Sequence, residues 1–398
     1  MAMRLLLAVA SLMTMSASAA ADVVTRIDDE TVTGTVTAVD SRGTVMVSEV
    51  VGRQTRVASI PAGEVLSVRF NATSPSSRKG DLIVLSSGER YHVVTETGTA
   101  GLTGISCTSG DALHGKNLVR FADARAWVPL GKDADAVLRE IDALVNDRDV
   151  VLTVEGDRLT GVVESVGSEG VEVTARPGRM RVRRDMLRGI AFSKTLKPWV
   201  EPGRLLAEVH LSDGSVVVGD VRGPEAGVYE LRSVLGAVWT APAAGVREIR
   251  FRGGKLTWLS DLDPVKAEVT PFFNRAWPWR KDRSVWDNPL TVAGVVYARG
   301  LGTHSRTQLT YDIGAEYVRL ISDLGIDDET RGTGTATVSV TGDGRMLLAP
   351  FEVTGGGRPR RLKLNVAGVR HLTLLVDFGR DQDTGDHVDW LNARLIRK

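Results

Sequence analysis

From residue 22 to residue 251 the chain runs in short stretches of alternating apolar and polar residues, broken every few positions by Gly, Asp or Ser. Successive side chains of a strand point to opposite faces, so this alternation predicts half-buried β-strands joined by tight turns. The pattern repeats weakly. Leu211-Ser-Asp-Gly214, Val154-Glu-Gly156, Leu85-Ser-Ser-Gly88 and Ile27-Asp-Asp29 each read as a turn between two strands. Each unit is expected to close on a similar phrase: Val68-Arg-Phe70, Val119-Arg-Phe121, Ile190-Ala-Phe192 and Ile249-Arg-Phe251. The closing Phe residues stand 51, 71 and 59 positions apart, too irregular for a solenoid.

The long middle interval has a cause. Over 133–146, Ala134, Val137, Leu138, Ile141, Leu144 and Val145 recur at helical spacing behind Asp133, a good N-cap residue. The sequence thus predicts one short helix, with linker, at 131–148. Small curved barrels of about five strands flank it at 22–130 and 149–253, resembling Sm-like or SH3-like modules. Linkers are expected at 71–80, at 195–204 around Pro198 and Pro202, and at Gly253-Gly254.

Charge narrows the partners. Lys+Arg 50 against Asp+Glu 49 leaves a net +1. The balance also holds locally, with 19 basic and 18 acidic residues in 256–398. Nothing here makes the basic field that nucleic acid or an anionic membrane requires. Cys107 is the single cysteine, so no intramolecular disulfide forms and stability must come from a buried core. Residues 1–21 read as a cleaved export signal: Arg4, an apolar run from Leu5 to Met15, then Ala17-Ser-Ala19 or Ala19-Ala-Ala21. That places the protein outside the cytoplasm, secreted, periplasmic or at the cell surface, with no membrane-spanning segment after cleavage.

After Gly254 the text changes. Five of the eight Trp lie between Trp258 and Trp390, and strands are expected at 290–297, 308–313, 317–323, 335–340, 361–366, 371–376 and 390–396. Thr341-Gly-Asp-Gly344 reads as a hairpin turn. Strands of this number with no helical pattern between them predict a β-sandwich. The fold class is therefore mainly β: a C-terminal sandwich at 254–398 preceded by small β-barrel modules and one short helix.

Six phrases follow in order here: Trp258-Leu-Ser-Asp-Leu-Asp-Pro264, Asn288-Pro-Leu-Thr-Val-Ala-Gly294, Tyr297-Ala-Arg-Gly-Leu-Gly-Thr-His-Ser305, Leu324-Gly-Ile-Asp-Asp328, Asp343-Gly344 and Asp386-His-Val-Asp-Trp390. The set resembles the NPCBM domain, related to family 51 carbohydrate-binding modules, over roughly 256–398. The resemblance implies a jelly-roll-like sandwich that binds sugars, often galactose-containing glycans, without cleaving them. It also implies a place among bacterial secreted and surface proteins, often attached to glycoside hydrolases.

A neutral sugar offers hydroxyls that donate and accept, plus an apolar C–H face, so its site needs carboxylates, a His or Arg and an aromatic platform. His304 and Ser305 lie in a Gly-rich turn suited to presenting a donor. Asp327 and Asp328 end a strand as a pair of acceptors. Asp389 and Trp390 join an acceptor to a flat ring, and Trp279 belongs to the aromatic, charged loop Trp277-Pro-Trp279-Arg-Lys-Asp282. These seven are the expected carbohydrate ligands. Asp381, Asp383 and Asp386 are oxygen donors of the kind a structural calcium uses, although the twelve-residue EF-hand pattern is missing. No other cofactor is called for. The chain carries no nucleophile elbow, zinc-protease helix, Cys-x-x-Cys pair, P-loop or dinucleotide fingerprint, so no catalytic role is expected. Two alternatives stand beside glycan binding: an envelope assembly protein with protein partners, and an accessory part of a glycoside hydrolase system.

Overall fold

The structure is a computed structural model that describes residues 21–52, 54–71, 79–97, 103–176, 178–193 and 204–398. The expected leader and most of the linkers at 71–80 and 195–204 lie outside the described residues. The N-terminal part is built from four groups of five antiparallel strands. The first comprises Asp22–Arg26, Thr31–Val39, Val45–Val51, Gln54–Ile60 and Val65–Arg69, and its fifth strand returns to pair with its first, Val24 opposite Val68. The same return recurs three times. Ile83 faces Trp127 in the second group, Val151 faces Ile190 in the third, and Val209 faces Ile249 in the fourth.

One turn position explains the repetition. The third residue of each first hairpin turn takes positive φ: Asp29 (72°), Gly88 (86°), Gly156 (94°) and Gly214 (91°). Glycine meets this left-handed requirement freely, and Asp is among the few other residues that tolerate it. One expected closing phrase falls a strand early. Val119-Arg-Phe121 ends the fourth strand of its group, Lys116–Arg120, and the closing strand is Ala124–Val128.

The groups are not beads on a string. Closing strands pair with one another, Val68 with Ile249 and Trp127 with Ile190, so all twenty strands join one hydrogen-bonded sheet around a shared core. Glu89 sits fully buried inside it. Its carboxylate accepts from Ser87 Oγ and Tyr91 OH at 2.8 Å, and from Val218 N and Ser233 Oγ at 3.0 Å. The helix spans Ala134–Ala143, capped where expected by Asp133, which accepts from Ala136 N at 3.0 Å. Val137, Leu138 and Ile141 pack on Leu82, Val128, Val150 and Leu152. The helix stops short of the expected end because Leu144 turns extended, which leaves Val145 fully exposed.

Beyond Gly254 two antiparallel sheets pack face to face. One contains Leu256–Trp258, Arg280–Lys281, Gly300–Thr303, Val388–Arg397, Tyr317–Ile326 and Arg360–Asn365. The other runs Lys266–Val269, Thr307–Asp312, His371–Phe378, Thr335–Gly342 and Arg345–Thr354. Leu301, Leu309, Tyr311, Leu324, Val338, Leu374 and Trp390 fill the space between them. Six of the expected strands appear, most extended by a few residues. The seventh, 290–297, is instead a hairpin of Leu290–Val292 and Val295–Tyr297. Ala293 and Gly294 both take positive φ (53° and 75°), the geometry of a two-residue hairpin turn, as do Asp343 and Gly344 at the turn that was expected.

The sandwich is docked on the first strand group through that group's own turn. Ile27 packs with Leu256, Ile321 and Ile396. Arg394, 2% exposed, donates Nε to Ile27 O at 3.1 Å and pairs with Asp29, which Arg361 also meets at 2.7 Å.

Candidate functional site

At one end of the sandwich the loop 284–288 that leads into the hairpin 290–297, the 3-10 turn Asp328–Thr330 and the loop before Val388–Arg397 converge on Glu329. Its carboxylate accepts from Ser284 Oγ (2.6 Å) and Asn288 Nδ2 (3.0 Å) on one oxygen, and from Trp286 N (3.3 Å) on the other. His387 Nδ1 lies 2.6 Å from that second oxygen. A carboxylate can only accept here, so Nδ1 carries a proton and this contact tethers the ring through Nδ1, leaving Nε2 outside it. Burial raises the Glu329 pKa, but the hydrogen bonds of His387, Ser284 and Asn288 outweigh it and hold the carboxyl below its usual value.

His304 is set the same way. Its Nδ1 stands 2.6 Å from Ser305 O and so donates to it. Burial lowers its pKa, and the neighbouring His387 adds to that, so the imidazole is neutral at pH 7. The two imidazole centroids are 5.3 Å apart. Trp277 stacks on His304 at 5.7 Å and is itself covered by the Arg275 guanidinium at 3.9 Å. Trp286 meets His387 edge to face at 4.9 Å and 89°, yet stays 51% exposed. These rings, with Phe273, Arg331, Thr333 and Asp383, line an open concavity of about 550 Å³. It offers the exposed rings of Phe273 and Trp286, two tethered imidazoles, two guanidiniums and the Asp383 carboxylate.

Of the seven residues expected to contact sugar, His304 alone lines this concavity. Ser305 is buried and donates to Asp386. Asp327 accepts from Thr291 N (2.9 Å) and Glu329 N (2.8 Å), and Asp328 from Ala293 N (3.0 Å) and Gly294 N (2.7 Å). Both carboxylates are therefore spent holding the hairpin, not presented to a ligand. Asp389 is fully buried, no donor among the described residues reaches its oxygens, and burial with the neighbouring Asp327 pushes its pKa well up. Trp390 is sealed in the sandwich core. Trp279 is half-buried against that core, while Trp277, two positions earlier, reaches the concavity. Trp286, Arg275, Glu329, Arg331 and His387, which line the concavity, all stand outside the seven expected residues. His387 was within reach, since it stands inside the quoted phrase Asp386-His-Val-Asp-Trp390.

The three candidate calcium ligands lie near one another, but their carboxylates turn to different partners. Asp381 takes the Thr335 hydroxyl, Asp386 takes Ser305 Oγ and Thr335 N, and Asp383 faces the concavity. Among the described residues no group of three or more His, Cys, Asp or Glu is placed to hold a metal ion. Asp386 has a further property. Burial, with Asp381 and Asp383 nearby, raises its pKa from 3.8 to about 7. Because the folded value is the higher one, the neutral carboxyl stabilises this loop at low pH, and that contribution is lost as the pH rises through about 7. The melting temperature of the sandwich is expected to fall between pH 5 and pH 8. In Asp386→Asn that slope should flatten, and an unchanged slope would contradict the assignment.

A two-sheet antiparallel sandwich with an aromatic, hydroxyl-matching concavity at one end has the build of a carbohydrate-binding module. Residues 255–396 match the NPCBM/NEW2 domain, so the C-terminal third of the chain is a domain of that kind. The chain is also similar to Alpha-1,3-galactosidase B of Akkermansia muciniphila, 31% identical over 117 residues and 28% of this chain. A protein of Renibacterium salmoninarum is 30% identical over 108 residues. The chain spans 15% and 7% of the lengths of these two relatives. Among solved structures, the CBM51 module from Clostridium perfringens in complex with methyl-galactose is 26% identical, with 35% of this chain and 99% of that one covered and a TM-score of 0.32.

Proposed function

We propose that the C-terminal domain binds glycans non-covalently in the concavity around Trp286, His304 and His387, and that galactose-containing sugars are its ligands. The exposed Trp286 ring beside two imidazoles, each tethered through its Nδ1, carries this reading. The ring takes a sugar's C–H face, while the two Nε2 atoms, Arg331 and Asp383 take its hydroxyls. The galactosidase relative supports the choice of galactose. The role is binding without cleavage. Among the described residues at this end of the sandwich, Glu329 accepts from four donors and Asp327 and Asp328 hold backbone N–H groups, so these three carboxylates are engaged in structure and not in acid and base work. The leader-like stretch 1–21 supports an exported protein, and no described helix is long and apolar enough to cross a membrane.

Affinity for a single sugar is expected to be weak, because each hydroxyl gained by the protein is lost by water. Titration of the full chain with galactose, lactose and a panel of other neutral sugars tests the reading. Trp286→Ala is expected to weaken binding of the preferred sugar by about tenfold or more, through loss of the stacking face. A panel without any binder, or a binder indifferent to Trp286→Ala, would overturn it.

A further inference from the structure

The N-terminal sheet has a concavity of its own, about 750 Å³, where the second and third strand groups meet. Its walls are the segment 129–132 leading into the helix and the end of the strand Gly178–Arg183. In that strand Arg179, Arg181 and Arg183 are exposed and alternate with half-buried Met180 and Val182, so the three arginines share the outer face. The groove collects Lys132, Arg181, Arg183 and Arg184 against two carboxylates, Glu169 and Asp185.

Its floor is built. Asp81, 1% exposed, accepts from Leu130 N at 2.8 Å and pairs with both terminal nitrogens of Arg184, whose guanidinium lies 5.7 Å from the Trp127 ring centroid. One buried carboxylate thus fixes the backbone of one wall and the guanidinium of the other. Arg183 pairs at 3.0 Å with Asp185, both largely exposed, a contact of little strength that an incoming anion can replace. Among the described residues neither Lys132 nor Arg181 has an ion-pair partner.

We propose that this groove binds the carboxylate or sulfate groups of an acidic glycan. Guanidinium groups match planar and tetrahedral oxyanions through paired N–H donors. Leu130, 54% exposed, gives the apolar contact that a sugar's C–H face needs. The lining has no aromatic ring to stack a nucleobase, and a net charge of +1 provides no long-range field for a nucleic acid. This second site is independent of the neutral-sugar site in the sandwich.

The test uses the full chain, titrated at low salt with oligogalacturonate (carboxylate), chondroitin sulfate oligosaccharide (sulfate and carboxylate), a neutral galacto-oligosaccharide and polyglutamate. At least one acidic glycan is expected to bind, more weakly as salt rises, and whichever binds tighter identifies the preferred group. The double variant Lys132→Gln/Arg181→Gln is expected to lose about tenfold or more of that affinity, with an unchanged melting temperature, because both side chains lie outside the core. Trp286→Ala should leave acidic-glycan binding intact. No binding of either acidic glycan, equal binding by the double variant, loss of acidic-glycan binding in Trp286→Ala, or equally tight binding of polyglutamate would each overturn the proposal.

Discussion

Trp390→Ala is expected to destabilise the sandwich by about 3–5 kcal/mol, the usual cost of emptying a buried indole site. The indole is fully buried on the strand Val388–Arg397, between Leu301 on one neighbouring strand and Leu324 on the other. It sits where the two sheets meet, so little backbone is free to collapse into the space. Denaturant unfolding followed by far-ultraviolet circular dichroism checks this, with Trp390→Phe as the milder comparison. A loss under about 1 kcal/mol in the alanine variant would show that the ring is not a core element. The result also separates two roles for one residue. A platform residue would cost sugar affinity and spare stability, whereas the core residue seen here does the reverse.

Glu89→Ala should cost about 3 kcal/mol or more, because four buried donors lose their acceptor together. Those donors come from two strand groups: Ser87 and Tyr91 in the second, Val218 and Ser233 in the fourth. Glu89→Gln is expected to be milder. Two of the donors are serine hydroxyls, which can rotate to accept from the amide in place of donating to it. Burial raises the Glu89 pKa above 4.5 despite these bonds. The folded value exceeds the unfolded one, so the associated stability is full below about pH 4.5 and is lost as the pH rises through the folded value. Thermal melts of wild type and Glu89→Gln across that range should differ in slope. Identical slopes, or an alanine variant of wild-type stability, would refute the assignment.

The N-terminal units were legible because their turns are local events. A position that needs positive φ favours Gly, Asn or Asp, and Asp29, Gly88, Gly156 and Gly214 recur between alternating runs. The helix was legible for a similar reason, since a capping residue and a 3.6-residue period need no distant partner. The hairpin at 290–297 was missed because its turn contains Ala293, an unusual residue at positive φ. What carries Ala293 there is Asp328, thirty-five positions away, which accepts from its N–H.

The candidate site divides along the same line. The ordered phrases between Trp258 and Trp390 marked the right domain and the right loops, because they consist of turn residues, buried carboxylates and core aromatics whose types follow from the fold. Which of those side chains face a ligand is a different matter. Asp327, Asp328 and Asp389 carry the same chemistry as a sugar-binding carboxylate, and only the packing shows that the first two face backbone N–H groups and the third faces the interior. Trp277 and Trp279 differ by two positions, yet one lines the concavity and the other the core.

By itself, then, the sequence determined the β architecture, the capped helix, the absence of a strong net charge and the sandwich type, all set by neighbours within a few residues or by composition. The tertiary structure alone decided that twenty strands share one sheet, that Arg394 is buried against Asp29, and that Trp286 rather than Trp390 offers an open ring. The reason is physical. Turn and strand preferences act over a few bonds, whereas burial is a competition among all the surfaces of the chain for the interior, and its outcome for one side chain depends on partners hundreds of positions away.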